Sequence, residues 1–319
     1  MPDTDIDKES YSLPAPLEFE LPLSALPERL DKVLAKLIPE HSRSRLQGWI
    51  EAGHVLLNGQ PARVKQMANP GDHLLVYEQQ PPEQQAFTPE DVGFEVLGES
   101  ADWIVVNKPA GLVTHPGAGN WGGTLLNGLL FRYPELGQVA RAGIVHRLDK
   151  DTSGLLVVAR HEKAQTHLIR QLQARSVSRE YIALVHGKLA AAGTVRLDIG
   201  RDPRVPVRMA VEHPIAPKPA VTHYAPLRTG RAGDALVTEV VCRLETGRTH
   251  QIRVHMMSLR HPLVADVLYG GRPVGGARRQ LLHARALSFD DFSSGARVSF
   301  QAPLAQDFQQ VLDHIAWIE

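Results

Sequence analysis

The chain has 319 residues, 43% hydrophobic and 22% charged, a balance that suits a globular fold with a sizeable core and a smaller module. No run reaches 18 apolar residues and Cys242 is the only cysteine, which excludes a membrane-spanning helix, internal disulfides and cysteine-based zinc sites. Lys+Arg and Asp+Glu number 35 each, yet residues 141–290 hold 24 basic side chains against 12 acidic ones, and only four of those cations are lysines. Arginine grips phosphate bidentately and stacks on bases, so this segment points to a polyanion, with nucleic acid the leading partner.

In chain order, the polar, acidic opening "MPDTDIDKESYSLPAP" has neither the cationic start nor the apolar run of a signal peptide. We expect a cytoplasmic protein and read residues 1–16 as a disordered tail. Residues 17–78 read as a compact α/β unit. Leu30, Val33, Leu34 and Leu37 repeat at helical spacing, Pro39 stops that helix, and Ser42 caps a second one carrying Leu46, Trp49 and Ile50. Gly53 ends it, Asn58–Gly59 marks a hairpin, and "PGDHLLVYE" supplies a further strand. Arg43 and Arg45 fall at the start of the second helix, exposed, where free backbone N–H groups favour phosphate. The Pro- and Gln-rich residues 79–90 read as a linker to a large unit, 91–319.

The large unit interleaves strand and helix patterns. "WIVV" is a strand that breaks at Pro109–Gly111, and Thr124 caps the helix of "LLNGLLFRY". "LLVVARH" is a buried strand, and the helix after it turns Ala164, Leu168, Ile169 and Leu172 inward. "REYIALVHG" alternates, with Tyr181, Ala183 and Val185 on one face and Ile182 and Leu184 on the other. Ile252, Met256 and Leu259 predict a helix, and "QLLHARALSF" a late strand. Because regular helices do not separate the strands, the expected class is α+β, with a mixed, largely antiparallel sheet and flanking helices.

"GIVHRLDKDTSG", residues 143–154, sets Asp149 among Arg147, Lys150 and Asp151 between two glycines. If the segment is extended, Arg147 and Asp149 share a face opposite His146 and Leu148. A carboxylate among cations stays ionised and suits a nucleophile; an ion pair that anchors a strand end is an equally open reading. His146 either fixes this loop by hydrogen bonding or meets the ligand. His115, His146, His250, His255 and His283 lack the spacing of a metal site, so no metal is expected. "GAGNWGGT" lacks the Lys-Ser/Thr ending of a phosphate loop.

Two resemblances bear on these segments. Ser42, Arg43, Ile50, Gly53, Val55, Asn58 and Gly59 match the pattern of the S4 RNA-binding domain, which the first unit resembles. "HRLDKDTSGLLVVA", "EYIALVHG", "LETGRTHQIRVHM" and "LLHARALSF" resemble, in order, the motifs of pseudouridine synthases of the ribosomal large-subunit type. The resemblance implies isomerisation of uridine already in RNA: the N1–C1′ bond breaks, the uracil turns, and C5 bonds to C1′, with no cofactor. It implies Asp149 as the catalytic residue, Arg253 as its ion-pair partner, Tyr181 stacked under the flipped base and Leu282 as an apolar wall. Extrusion of the base costs a few kcal/mol, and Arg147 would fill the gap it leaves, with His146 nearby. Arg43, Arg45, Lys150 and Arg248 are the expected RNA-binding cations. "VTHPGAGN" and "RAGIVHRLDKDT" point to one member of the group, which implies helix 69 of 23S ribosomal RNA as target; we expect a monomer whose partner is large-subunit RNA, free or in an assembling particle. The same chemistry on transfer RNA, and a non-catalytic role in ribosome assembly, are the alternatives.

Overall fold

The computed structural model describes residues 16–79, 86–117 and 119–318, so the expected tail, up to residue 15, and the middle of the expected linker lie outside the described residues. The chain divides into two compact units between Pro81 and Pro82.

In the first unit, α1 (Leu30–Leu37) buries Leu30 and Leu34, and α2 (Arg43–Glu51) buries Leu46, Trp49 and Ile50, following the helical spacing of the sequence. The Ser42 hydroxyl caps α2 by accepting the Arg45 N–H at 3.3 Å. Strands β1 (Leu17–Glu20), β2 (Val55–Leu57), β3 (Gln60–Pro61) and β4 (His73–Val76) form a sheet in the order β1-β4-β2-β3, with Asn58 and Gly59 turning the β2–β3 hairpin. Helices and sheet share one apolar core, which is how a unit this small hides the stripe of each helix.

The second unit is built on a ten-stranded sheet. Strands β5 (Glu95–Glu99), β6 (Trp103–Lys108), β7 (Ser153–Ala159), β8 (Ser178–His186), β9 (Gly193–Arg196), β10 (Val221–Ala232), β11 (Ala235–Leu244) and β12 (Leu282–Asp290) run in the order β9-β10-β11-β8-β12-β7-β6-β5. β13 (Arg297–Gln301) pairs with β12, and β14 (Ala316–Ile318) with β10. β7 and β12 are parallel, and the other ladders are antiparallel, so the sheet is mixed and largely antiparallel. Helices α3 (Leu125–Arg132), α4 (Glu162–Gln173), α5 (Gln251–Ser258) and α6 (Gln306–Asp313) pack against it. Both faces are covered: Tyr181, Ala183 and Val185 of β8 join the core of α3 and α5, whereas Ile182 and Leu184 join that of α6. All seven residues of β7 are accordingly buried.

Two expectations are corrected. Ile169 of α4 is 38% exposed, because α4 docks through Ala164 and Leu168 and the next position lies about 100° further round the helix. Residues 86–90, read as linker, are tied down: Asn127 Nδ2 donates to the Ala86 and Thr88 carbonyls, and Glu90 accepts the Gly123 N–H. Their backbone carbonyls and the Glu90 carboxylate serve the start of α3, where Asn127 also accepts the Thr124 N–H at 3.0 Å.

The central strands explain why distant segments meet. In register, Gly154 of β7 lies opposite Ala284 of β12, and Ala284 lies opposite Tyr181 of β8. The loop ahead of β7 and the start of β12 therefore open at one end of the sheet, with Tyr181 in the same row. The two glycines bracketing the loop are required by close backbone approach: a Cβ on Gly143 would lie 1.9 Å from the Ala159 carbonyl, and one on Gly154 2.2 Å from the Ala284 carbonyl.

Candidate active site

The loop carrying Asp149 is pinned through four successive carbonyls. Thr114 Oγ1 donates to Leu148 O at 2.8 Å, Thr152 N–H to Asp149 O at 3.1 Å, and Arg279 Nη1 to Asp151 O at 2.8 Å. Lys150 O takes two donors, Gly111 N–H at 2.9 Å and Lys108 Nζ at 3.0 Å. Lys108, fully buried at the end of β6, also donates to Pro109 O and Leu112 O, each at 2.8 Å. Burial pulls its pKa down to about 7 while Asp149 and Asp151 pull upward, and three carbonyl acceptors occupy all three ammonium protons. Arg279 is held in turn by a two-point ion pair with Asp307, at 2.6 and 2.8 Å.

So fixed, the Asp149 carboxylate meets α5. Arg253 Nη1 donates to Asp149 Oδ2 at 3.0 Å, while its Nε and Nη2 fork onto the two oxygens of Asp266 at 2.7 and 2.9 Å. Burial works against the Arg253 charge, but Asp266 and then Asp149 outweigh it and raise its pKa. One guanidinium thus aims Asp149 from a fixed base, at the cost of a buried Asp266 that is 1% exposed. His250, the residue before α5, sits in the left-handed region at φ 57°. Its Nε2 lies 4.0 Å from Asp149 Oδ2, and its Nδ1 bonds the Tyr269 hydroxyl at 2.8 Å. Burial lowers the His250 pKa although Asp149 opposes it, and pushes the Tyr269 phenol up to about 12.

Asp149 lies in a cleft of about 950 Å³, large enough for a nucleotide, whose lining includes Tyr181, Leu282, Arg147, His146, Arg248 and Arg253. The structure therefore brings together the residues predicted around Asp149. Arg147 is exposed and forms no side-chain hydrogen bond or ion pair among the described residues. Leu148 is 4% exposed and joins the apolar core, although it also lines the cleft. Tyr181 is buried, which raises its phenol pKa, with Asp149 adding to the effect. His146 does what a loop-fixing histidine would do: its Nε2 accepts the Val157 N–H at 3.2 Å, and burial, then Arg179, holds its pKa at about 3. It also lines the cleft. Arg248 is exposed and donates to Pro219 O at 3.1 Å. Lys150 is exposed and lines an adjoining cavity of about 430 Å³ that shares Arg147, Asp149 and Arg253 with the cleft.

In the first unit the cations at α2 are less free than the sequence suggests. Arg43 is exposed but holds fully buried Asp31 through Nε and Nη2 at 3.0 and 2.6 Å. Arg45 is half-buried, donating to Gln79 O at 2.8 Å with its guanidinium 5.5 Å from the Trp49 ring centre.

Sequence reasoning missed Asp266, Lys108, Arg279, His250 and Tyr269. Lys108 had a signal, a lone cation closing the apolar strand "WIVVNK". Asp266 had none, because nothing local marks it as the partner of an arginine 13 positions earlier.

Residues 102–258 match the RNA pseudouridylate synthase family and residues 28–74 the S4 domain. A protein of Neisseria meningitidis serogroup B named ribosomal large subunit pseudouridine synthase D is 48% identical over 305 residues, spanning 92% of this chain and 80% of the relative. One of the same name from Xanthomonas campestris pv. campestris is 47% identical over 96% of this chain and 95% of the relative. Among solved structures, human RNA pseudouridylate synthase domain containing 1 superposes with a TM-score of 0.56 at 28% identity, covering 76% of this chain and 91% of its own.

Proposed function

The chain belongs to the RNA pseudouridylate synthase family, and from that premise we propose that it converts uridines of 23S ribosomal RNA to pseudouridine, with helix 69 as its target. The observation that carries the reading is the ion pair between Asp149 and Arg253, 3.0 Å long, in a cleft of nucleotide size beside Tyr181 and Leu282. Asp149 acts at the sugar, as nucleophile toward C1′ or as the base that starts elimination at C2′; both routes use an ionised carboxylate held at one place. The N1–C1′ bond breaks with its electron pair passing to the uracil, the ring turns, and C5 bonds to C1′ as Asp149 leaves C1′ or returns the C2′ proton; the proton lost from C5 is matched by one taken up at N1.

Tyr181 carries the flipped ring and Leu282 closes its apolar side. Arg147, unengaged at the cleft wall, enters the gap left in the RNA. Leu282 and Tyr181 sit on strands whose cores are packed on both faces, so the slot between them keeps its width while the base rotates. The S4 domain adds RNA contacts through Arg43 and Arg45, and Arg248 and Lys150 add them around the cleft.

The test is pseudouridine mapping, by carbodiimide labelling and primer extension, on large-subunit RNA from cells lacking this protein and complemented with wild type or Asp149→Asn. Sites that vanish, return with wild type and stay absent with the variant support the proposal. Persistence of every site in the deleted strain sinks the ribosomal target and sends the search to transfer RNA.

A further inference from the structure

Arg179 lies on β8 two residues before Tyr181, is 7% exposed, and lines the cleft. Burial lowers its pKa, and among the described residues no carboxylate pairs with it. The neighbouring Glu180 turns its carboxylate to Arg243 and Arg285, and Glu245 turns its own to Arg175 and His223 and offers Arg179 only its backbone carbonyl, at 3.3 Å from Nη2. Arg179 Nε is buried with no hydrogen-bond partner. Gly247 leaves the space the guanidinium occupies: a Cβ there would lie 2.7 Å from Nη1. A guanidinium withdrawn from water without a counter-charge is costly, so a built socket of this kind is completed by an anion.

The cleft wall also carries Arg147 and Arg248. A uracil oxygen becomes anionic only as the glycosidic bond breaks, which would leave the cation unmatched in the resting complex. A phosphodiester is charged throughout. Two residues along a strand cover about 6.5 Å, comparable to the span between a base and the phosphate of its own nucleotide. We propose that Arg179 seats the phosphodiester next to the target uridine, placing the backbone while Tyr181 receives the base. This rests on the RNA-modifying reading above and adds a positioning residue to it.

The experiment uses the full chain and a short RNA with one target uridine, prepared with normal linkages or with a neutral methylphosphonate on the 5′ or 3′ side of that uridine. With wild type, one of the two replacements should weaken binding about ten- to a hundredfold, as expected for a charge-assisted contact. Arg179→Gln should bind the normal RNA that much more weakly and show little further loss with the methylphosphonate, while kcat at saturating RNA changes little. Gly247→Ala, which displaces the guanidinium and keeps every charge, should behave in the same direction. Equal binding of all three RNAs by wild type would overturn the proposal even if neither variant folds. A fall in kcat with unchanged affinity in Arg179→Gln would also overturn it, moving the contact to the uracil oxygens. Failure of wild type to convert the normal RNA would strike the functional reading itself and is thereby distinguished from failure of this proposal.

Discussion

Across residues 148–151 four successive backbone carbonyls are each held by a donor, and Asp149 is aimed by an arginine that is itself forked onto Asp266. In the wall of the same cleft, Arg147 and Arg248 stand exposed, with Arg147 free of any side-chain partner among the described residues. The difference follows from what each must do. A reacting carboxylate loses orders of magnitude in rate when it is misplaced by an ångström, so it is over-determined. Cations that gather a polyanion act through long-range charge and tolerate motion, and leaving them unpaired keeps their charge available to phosphate.

Substitutions on the two sides should separate accordingly. Asp149→Asn should lower turnover at least about a thousandfold while RNA affinity stays within a few-fold, because shape and surroundings are kept; single-turnover assays and filter binding read the two quantities. Asp266→Asn leaves a buried arginine half-paired and should cost about 3–5 kcal/mol in urea denaturation, with turnover falling as Arg253 loses its anchor. If stability and turnover were both unaffected, the fork would not be what holds Asp149.

The pinned region should also be sensitive to acid. Burial holds His146 neutral, with a pKa of about 3, and His115 and His283 at about 4, whereas in the unfolded chain a histidine titrates near 6.5. Between those values the unfolded state binds more protons, so stability falls as pH drops from about 6.5 towards 4, by about 1.4 kcal/mol per pH unit for each such histidine. His146→Asn should make that slope shallower by the share of one histidine, about 1.4 kcal/mol per pH unit, measured as urea midpoints across the window. An unchanged slope would mean that His146 is protonated in the fold and does not accept the Val157 N–H. The smallest effect is expected at the rim: Arg248→Ala should lower affinity less than about tenfold, reduce the slope of log affinity against log salt by about one, and leave turnover at saturation unchanged.

Much of this was readable from local pattern. The alternation in "REYIALVHG" assigns Tyr181 and Ile182 to opposite cores, Ser42 caps α2, and the glycines around Asp149 mark a tight loop, because these features depend on neighbours two to four positions away. Ile169 fitted the apolar spacing of α4 yet faces the cleft, since periodicity gives a stripe without saying how wide the docked part is. Arg43 looked free and is committed to Asp31, 12 positions away.

By itself the sequence determined where strands, caps and the Asp149 loop fall, and its ordered motifs determined the kind of chemistry to look for. Only the tertiary structure decided which charge meets which: Arg253 with Asp149 across 104 positions and with Asp266 across 13, Lys108 beneath a carbonyl 42 residues later, and Arg179 with no carboxylate among the described residues. The physical reason is that secondary structure responds to a period within one segment, whereas an ion pair responds to distance in space, and that distance is set by the parallel pairing of β7 with β12 and by the packing of α5 beside them.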